Sequence, residues 1–299
     1  MHKFIVLSML CLLIVSACQN ATDPGEETTE MDAAMPSDSV YLEEVWATDT
    51  LLTTPESVLY DAAREVFYVS CIGAVPPWSN DGDGFIAKVD PDGNILERKW
   101  VTGLNGPKGL GMSGNTLYVN DNDRLVSIDV ESGEIISKMP IGTSKNLNDV
   151  AVGPDGAVYL SDSQTSTAYK VMGTEVTMLV QDTAIGGLNG VFVDGDHLLF
   201  AGFGSGNLFS FNPANTSLTV VGEGMPGGDG IEKYGDGFFV SSWNGQIWYL
   251  DKDWKQMEML DTRALEVNSA DIEVVAEKQL LLVPTFFDNR VVAYKIRGL

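Results

Sequence analysis

The 299-residue chain is 44% hydrophobic and 20% charged, with 31 glycines and 12 prolines. That composition supports a large buried core and excludes a wholly disordered chain or a stapled mini-protein. Forty-two acidic against 18 basic residues leave a net charge of −24, which repels phosphate backbones and argues against a nucleic-acid partner. His2 and His197 are the two histidines, which removes most zinc sites, Ser-His-Asp triads and histidine-dyad lactonases.

The amino terminus reads as an export signal over residues 1–17. His2-Lys3 is followed by an apolar run from Phe4 to Val15 and by Ser16-Ala17-Cys18. The run is shorter than the roughly 20 residues that a membrane span needs. Val15-Ser16-Ala17-Cys18 resembles a bacterial lipobox, which implies cleavage before Cys18 and its acylation. Residues 18–40 form an acidic tether: Asp23, Glu26, Glu27, Glu30, Asp32 and Asp38 occur there without lysine or arginine. The expected location is the cell envelope, with the lipid anchor as the contact to the membrane. Gln19 is not the Asp of an inner-membrane retention signal, so the outer membrane is favoured, facing the periplasm or the exterior. Cys71 alone remains in the mature domain, which excludes an internal disulfide.

Residues 41–299 are repetitive. Six copies begin with a polar, small or acidic, and aliphatic triplet: Glu56-Ser57-Val58, Lys108-Gly109-Leu110, Asn148-Asp149-Val150, Asn189-Gly190-Val191, Asp229-Gly230-Ile231 and Ala270-Asp271-Ile272. Their starts are separated by 52, 40, 41, 40 and 41 residues. Turns such as Gly153-Pro154-Asp155-Gly156 and Asp194-Gly195-Asp196 precede short apolar runs, and an alternating run follows in Leu208-Phe209-Ser210-Phe211 and its counterparts. Six units of about 40 residues with four short strands each predict an all-β, six-bladed β-propeller. The last copy has room for three strands, so Tyr41 to Ala47 is expected to supply its outer strand and close the ring.

If the first residue of each copy begins an inner strand, Glu56, Lys108, Asn148, Asn189, Asp229 and Ala270 meet around one axis. Two carboxylates and two carboxamides are hard oxygen donors. They suit Ca²⁺ best and Mg²⁺ or Mn²⁺ less well, and without thiolate or imidazole Zn²⁺ is the less natural ion. Asn and Asp also cap turns at strand starts, whereas Glu56 has no such turn role. The residue 71–84 insertion carries Trp78, which can wall the channel mouth, and Asp81 and Asp83, whose spacing lacks the rest of a calcium loop.

The constellation resembles the SMP-30/gluconolactonase (regucalcin-like) family over about residues 45–299. Pro55-Glu56-Ser57-Val58, Asn148-Asp149-Val150, Leu188-Asn189-Gly190-Val191 and Asp229-Gly230-Ile231 carry the likeness. It implies one divalent cation held by Glu56, Asn189 and Asp229, with Asn148 contacting substrate or completing the shell. Departures bear on the substrate: Asn146 stands where some sugar lactonases carry Arg, and Gly202 stands where Asp121 and Asp162 recur in other copies. Lys108 either binds an anionic substrate or offsets nearby carboxylates.

The implied activity is metal-dependent hydrolysis of a lactone or small ester by a monomer. Asp229 is the candidate proton acceptor, and Asn148, Lys108 and Trp78 are candidate substrate contacts. The alternative is a non-enzymatic propeller, stabilised by its metal, that binds a ligand or protein partner at the envelope.

Overall fold

The computed structural model describes residues 40–299; the export signal, Cys18 and all but the last residue of the tether lie outside them. The described residues form six four-stranded antiparallel sheets arranged in a ring, a six-bladed β-propeller. Blades 1 to 5 run in chain order over residues 55–104, 107–140, 147–181, 188–222 and 228–261. Blade 6 combines Glu273–Val275, Leu280–Pro284 and Val291–Arg297 with Tyr41–Ala47, which pairs antiparallel to Val291–Arg297 as the outermost strand. The amino-terminal strand therefore closes the last blade, as the short sixth copy required.

Six apolar clusters of the core lie one at each junction between neighbouring blades, and a seventh, smaller one joins Ile72, Ala270 and Phe286. Leu147, Val150 and Leu160 of blade 3 pack with Leu125 of blade 2, for example, and Val58 and Phe67 of blade 1 pack with Val275 and Leu282 of blade 6. Each blade buries both faces, so its two inner-side strands are apolar on both sides. The hairpins joining the first two strands of blades 2 to 5 place Gly114, Gly156, Gly195 and Gly235 at positive φ, where a Cβ would be strained.

The head of each inner strand in blades 1 to 5 departs from regular pairing. Pro55 and Ser57 oppose Cys71 and Ser70, so Glu56 is an extra residue in the ladder. Equivalent register shifts fall between Pro107 and Leu110, Leu147 and Val150, Leu188 and Val191, and Gly228 and Ile231. These bulges release Lys108, Asn148, Asn189 and Asp229 from the pleat and re-aim their side chains.

The freed backbone is recaptured across blade junctions. The Asp149 N–H donates to Ser161 Oγ at 2.8 Å, and that hydroxyl donates to the Asn189 carbonyl at 2.5 Å. Ser241 repeats the device between the Gly230 N–H and the Ala270 carbonyl, at 2.8 Å each. Ring closure uses the Asp271 N–H to the Glu56 carbonyl at 2.9 Å and Ser57 Oγ to Asp271 Oδ2 at 2.6 Å. Blade 4 has Ala201 at the serine position, and there the backbones themselves meet. A Cβ added at Gly190 would lie 1.9 Å from the Asp229 carbonyl oxygen. Gly190→Ala is expected to force blades 4 and 5 apart at the axis and to cost about 1–3 kcal/mol, as overpacking does. Urea denaturation of the purified variant measures this, and unchanged stability would contradict the close approach.

Candidate functional site

The first residues of the six copies meet at one end of the central channel. Glu56, Lys108, Asn148, Asn189, Asp229 and Ala270 are all buried. Glu56, Lys108, Asn148 and Asn189 line one cavity of about 290 Å³. Asp229 sits beside them, with Asn189 and Glu56 both acting on the proton affinity of its carboxyl.

Two oxygens in this group have no partner. Glu56 Oε2 and Asn189 Oδ1 are buried and unbonded, a costly state for polar atoms away from water. Burial pushes the Glu56 carboxyl up, with Lys108 opposing the shift and Asp149 adding to it. Burial likewise holds Asp229 well above the usual carboxylate range, reinforced by the charges of Glu56 and Asp149 and opposed by Asn189. A hard divalent cation would accept these oxygens and favour both carboxylates in their ionised form. The donor set thus fits such an ion. Among the described residues no three His, Cys, Asp or Glu side chains gather closely enough to hold a metal by themselves; the set here draws half its donors from carboxamides.

Lys108 has a different set of contacts from the free cation that an anionic substrate would need. Its ammonium donates to the Pro77 carbonyl at 3.0 Å and the Gly106 carbonyl at 2.9 Å. It also lies 3.7 Å from the centre of the Trp78 ring. Burial lowers its proton affinity, with Glu56 and Asp121 opposing. Lys108 therefore fastens the 71–84 insertion over the channel mouth and sets the position of Trp78. Asn122 adds a second fastening, donating to the Ser79 carbonyl at 2.7 Å. Asp83 serves that loop internally, accepting from the Ala74 N–H at 2.8 Å.

Four aromatic residues that sequence reasoning passed over complete the mouth: Phe203, Trp243, Phe286 and Phe287. Phe203 and Trp243 directly follow the second strands of blades 4 and 5, and Phe286 and Phe287 follow that of blade 6 after Thr285. An aromatic within the first two residues after the second strand in three consecutive copies was the signal available.

The channel continues past the site. Asp149 accepts from the Val150 N–H at 2.6 Å and the Val191 N–H at 2.7 Å, and is pushed up to about 6 by burial against those bonds. Beyond it lies a cavity of about 260 Å³ at the far end, lined by Asp149, Asp271, Glu232, Glu273 and aliphatic side chains. His197 lies at the turn end of blade 4, paired with Asp194, whereas Leu188 at the site end pairs with Gly202. It is half exposed, bonded to Asp196, and separate from the candidate site.

Neither protein-family models nor curated proteins match the sequence. Solved structures do resemble the fold. A streptogramin B lyase matches with a TM-score of 0.62 and 14% identity over 86% of this chain and 98% of that one. Virginiamycin B lyase from Staphylococcus aureus, in a catalytically inactive form with alanine in place of a histidine and with quinupristin, gives 0.61 and 14% over 86% and 99%. A nidogen/laminin complex gives 0.58 and 19% over 70% and 80%. At these identities the likeness establishes the six-bladed propeller and nothing finer.

The far cavity generates a pH prediction. Burial pushes Glu273 up to about 8, opposed by the Tyr60 N–H and aided by Glu277. The folded chain keeps a proton there that the unfolded chain gives up near 4.5. The group's stabilising share is complete below about pH 4.5 and is lost as pH rises through about 8. Glu273→Gln is expected to lose less stability than the parent between about pH 5 and pH 9, measured by thermal and urea unfolding; parallel losses would contradict it.

Proposed function

We propose that the channel mouth holds one divalent cation, Ca²⁺ by preference, and hydrolyses a lactone or small ester. The carrying observation is the pair of buried, unpartnered oxygens, Glu56 Oε2 and Asn189 Oδ1, facing a cavity next to Asp229. The resemblance of the inner-strand triplets to the SMP-30/gluconolactonase family supports the same donors, Glu56, Asn189 and Asp229, with Asn148 beside them.

When bound, the cation supplies Lewis-acid polarisation of the acyl carbonyl. The remaining work falls to side chains. Asn148, through its carboxamide N–H, orients the substrate and donates to the oxygen that gains charge as water adds. Asp229, kept ionised beside the cation, takes a proton from the attacking water. The water oxygen bonds to the acyl carbon, the acyl C–O bond breaks, and the leaving alkoxide receives the proton from Asp229. A lactone so opened yields one hydroxy acid. Trp78, held by Lys108, covers the mouth and limits the entry of other water.

The neighbouring lyases suggest another chemistry. A histidine is needed by virginiamycin B lyase, since its alanine form is inactive. The described histidine of this chain, His197, is half exposed at the other end of blade 4, so the observations support hydrolysis over that lyase reading. A second reading is a non-catalytic propeller that binds its ligand around a structural ion. The engagement of Lys108 with the insertion, in place of a free channel cation, favours it. In either case the likeness of Val15-Ser16-Ala17-Cys18 to a lipobox supports attachment to the cell envelope.

Glu56→Gln and Asp229→Asn are expected to abolish cation-dependent thermal stabilisation and to lower lactone hydrolysis by about 10²-fold or more, with the β-sheet circular dichroism unchanged. Chelator is expected to stop turnover and added Ca²⁺ to restore it. Turnover that persists in chelator would overturn the mechanism, while metal stabilisation without turnover on a panel of lactones and esters would select the binding propeller.

A further inference from the structure

Above the polar floor, the mouth divides into two adjoining lobes, one walled by aromatic rings and one that also carries uncharged polar side chains. The cavity of about 290 Å³ is walled by Trp78, Phe203, Trp243, Phe286, Phe287 and Ile72. An adjoining cavity of about 530 Å³ is lined by Asn146, Ser163 and Gln164 together with Gly186 and Gly187. Trp78, Asn148, Asn189 and Phe203 border both, so the two candidate ligand carboxamides stand at the junction.

The aromatic lobe is an open apolar surface on a strongly acidic protein. Phe203 is 40% exposed and Phe287 55%, although both lie against Trp243. Exposed aromatic clusters of this kind mark contact surfaces. The rings stand edge to face: Trp243 meets Phe286 at 5.4 Å and 75°, and Phe286 meets Phe287 at 4.9 Å and 89°. They form a notched wall in place of the flat platform on which a sugar ring stacks. Its phenylalanine and isoleucine side chains carry no group to pair with hydroxyls, and hydroxyls buried there would go unbonded.

We propose that the substrate is a lactone or ester bearing an apolar alkyl or aryl substituent, which fills the aromatic lobe. Its carbonyl lies at Asn148 and Asn189, and its hydrogen-bonding portion occupies the lobe of Asn146, Ser163 and Gln164. This rests on the hydrolase reading above and narrows it: polyhydroxylated sugar lactones are poor substrates. Phe203, Trp243 and Phe287 are the specificity-determining residues.

Two homologous series test the proposal with the Ca²⁺-loaded protein. γ-Lactams with alkyl substituents from methyl to octyl resist hydrolysis, so tryptophan fluorescence reads their binding without chemistry. γ-Lactones with the same substituents, and gluconolactone, read turnover. Lactam affinity is expected to rise about fourfold per added methylene until the lobe is filled, and kcat/KM for the lactones to rise in parallel. The gradient is expected to flatten in Trp243→Ala. It should flatten also in Phe203→Ser and Phe287→Ser, whose exposed side chains can be changed without loss of folding. Affinity that is flat along the lactam series, or gluconolactone turned over faster than the octyl lactone, overturns the proposal. A lactam gradient without turnover of any lactone upholds the apolar lobe and rejects the hydrolase; turnover with a flat gradient does the reverse.

Discussion

At the head of each inner strand in blades 1 to 5, the strand carries one residue more than its neighbour can pair with. Six strands converging on an axis leave little room for a regular pleat, and the bulge resolves the crowding by turning one side chain toward the channel. The backbone groups so released would be buried without partners. Ser161, Ser241 and Asn120 take them up by bonding to the carbonyls of the next blade. One local irregularity thus accounts for the convergence of the site, the lacing of adjacent blades and the close approach at Gly190.

That convergence has an electrostatic consequence. Glu56, Asp149, Asp229 and Asp271 are buried along one channel, and Lys108 is the cation beside them. Lys108 spends its donors on the backbone of the insertion, which leaves the carboxyls compensated only at a distance. Burial raises the proton affinities of all four, and repulsion from neighbouring carboxyls adds to it at Glu56, Asp229 and Asp271. Such a channel holds either protons or a cation, and the unpartnered oxygens of Glu56 and Asn189 favour the cation at the mouth. The coupling between Lys108 and Trp78 also joins the charge of the floor to the cover of the mouth: the basic side chain whose charge acts on Glu56 is the one that holds the insertion down.

The propeller was legible because its physics repeats. A triplet recurring at 40 or 41 residues, glycine turns such as Gly156 and Gly195, and a sixth copy one strand short left few ways to arrange the chain. The gathering of the polar residues of the candidate site was legible for the same reason, since Glu56, Asn148, Asn189 and Asp229 share one phase. Trp78 was legible only as a candidate wall. Its partner Lys108 lies 30 residues away, and nothing in the spacing sets the indole over that ammonium. Phe203, Trp243, Phe286 and Phe287 went unread because loop residues lack the period-two signal of a strand. Asp149 and Asp271 stood inside the triplets, yet their burial in the channel depends on the blade junctions.

By itself the sequence determined the number of blades, the closing role of Tyr41 to Ala47 and the identity of the side chains sent to the axis, because repeat period and strand alternation are properties of neighbours along the chain. Only the tertiary structure decided which oxygens remain unpaired, that Lys108 serves the insertion, and that aromatic residues from three blades and a loop share one wall. Those depend on distances between residues far apart in the chain, set by the way six bulged strands pack around a common axis.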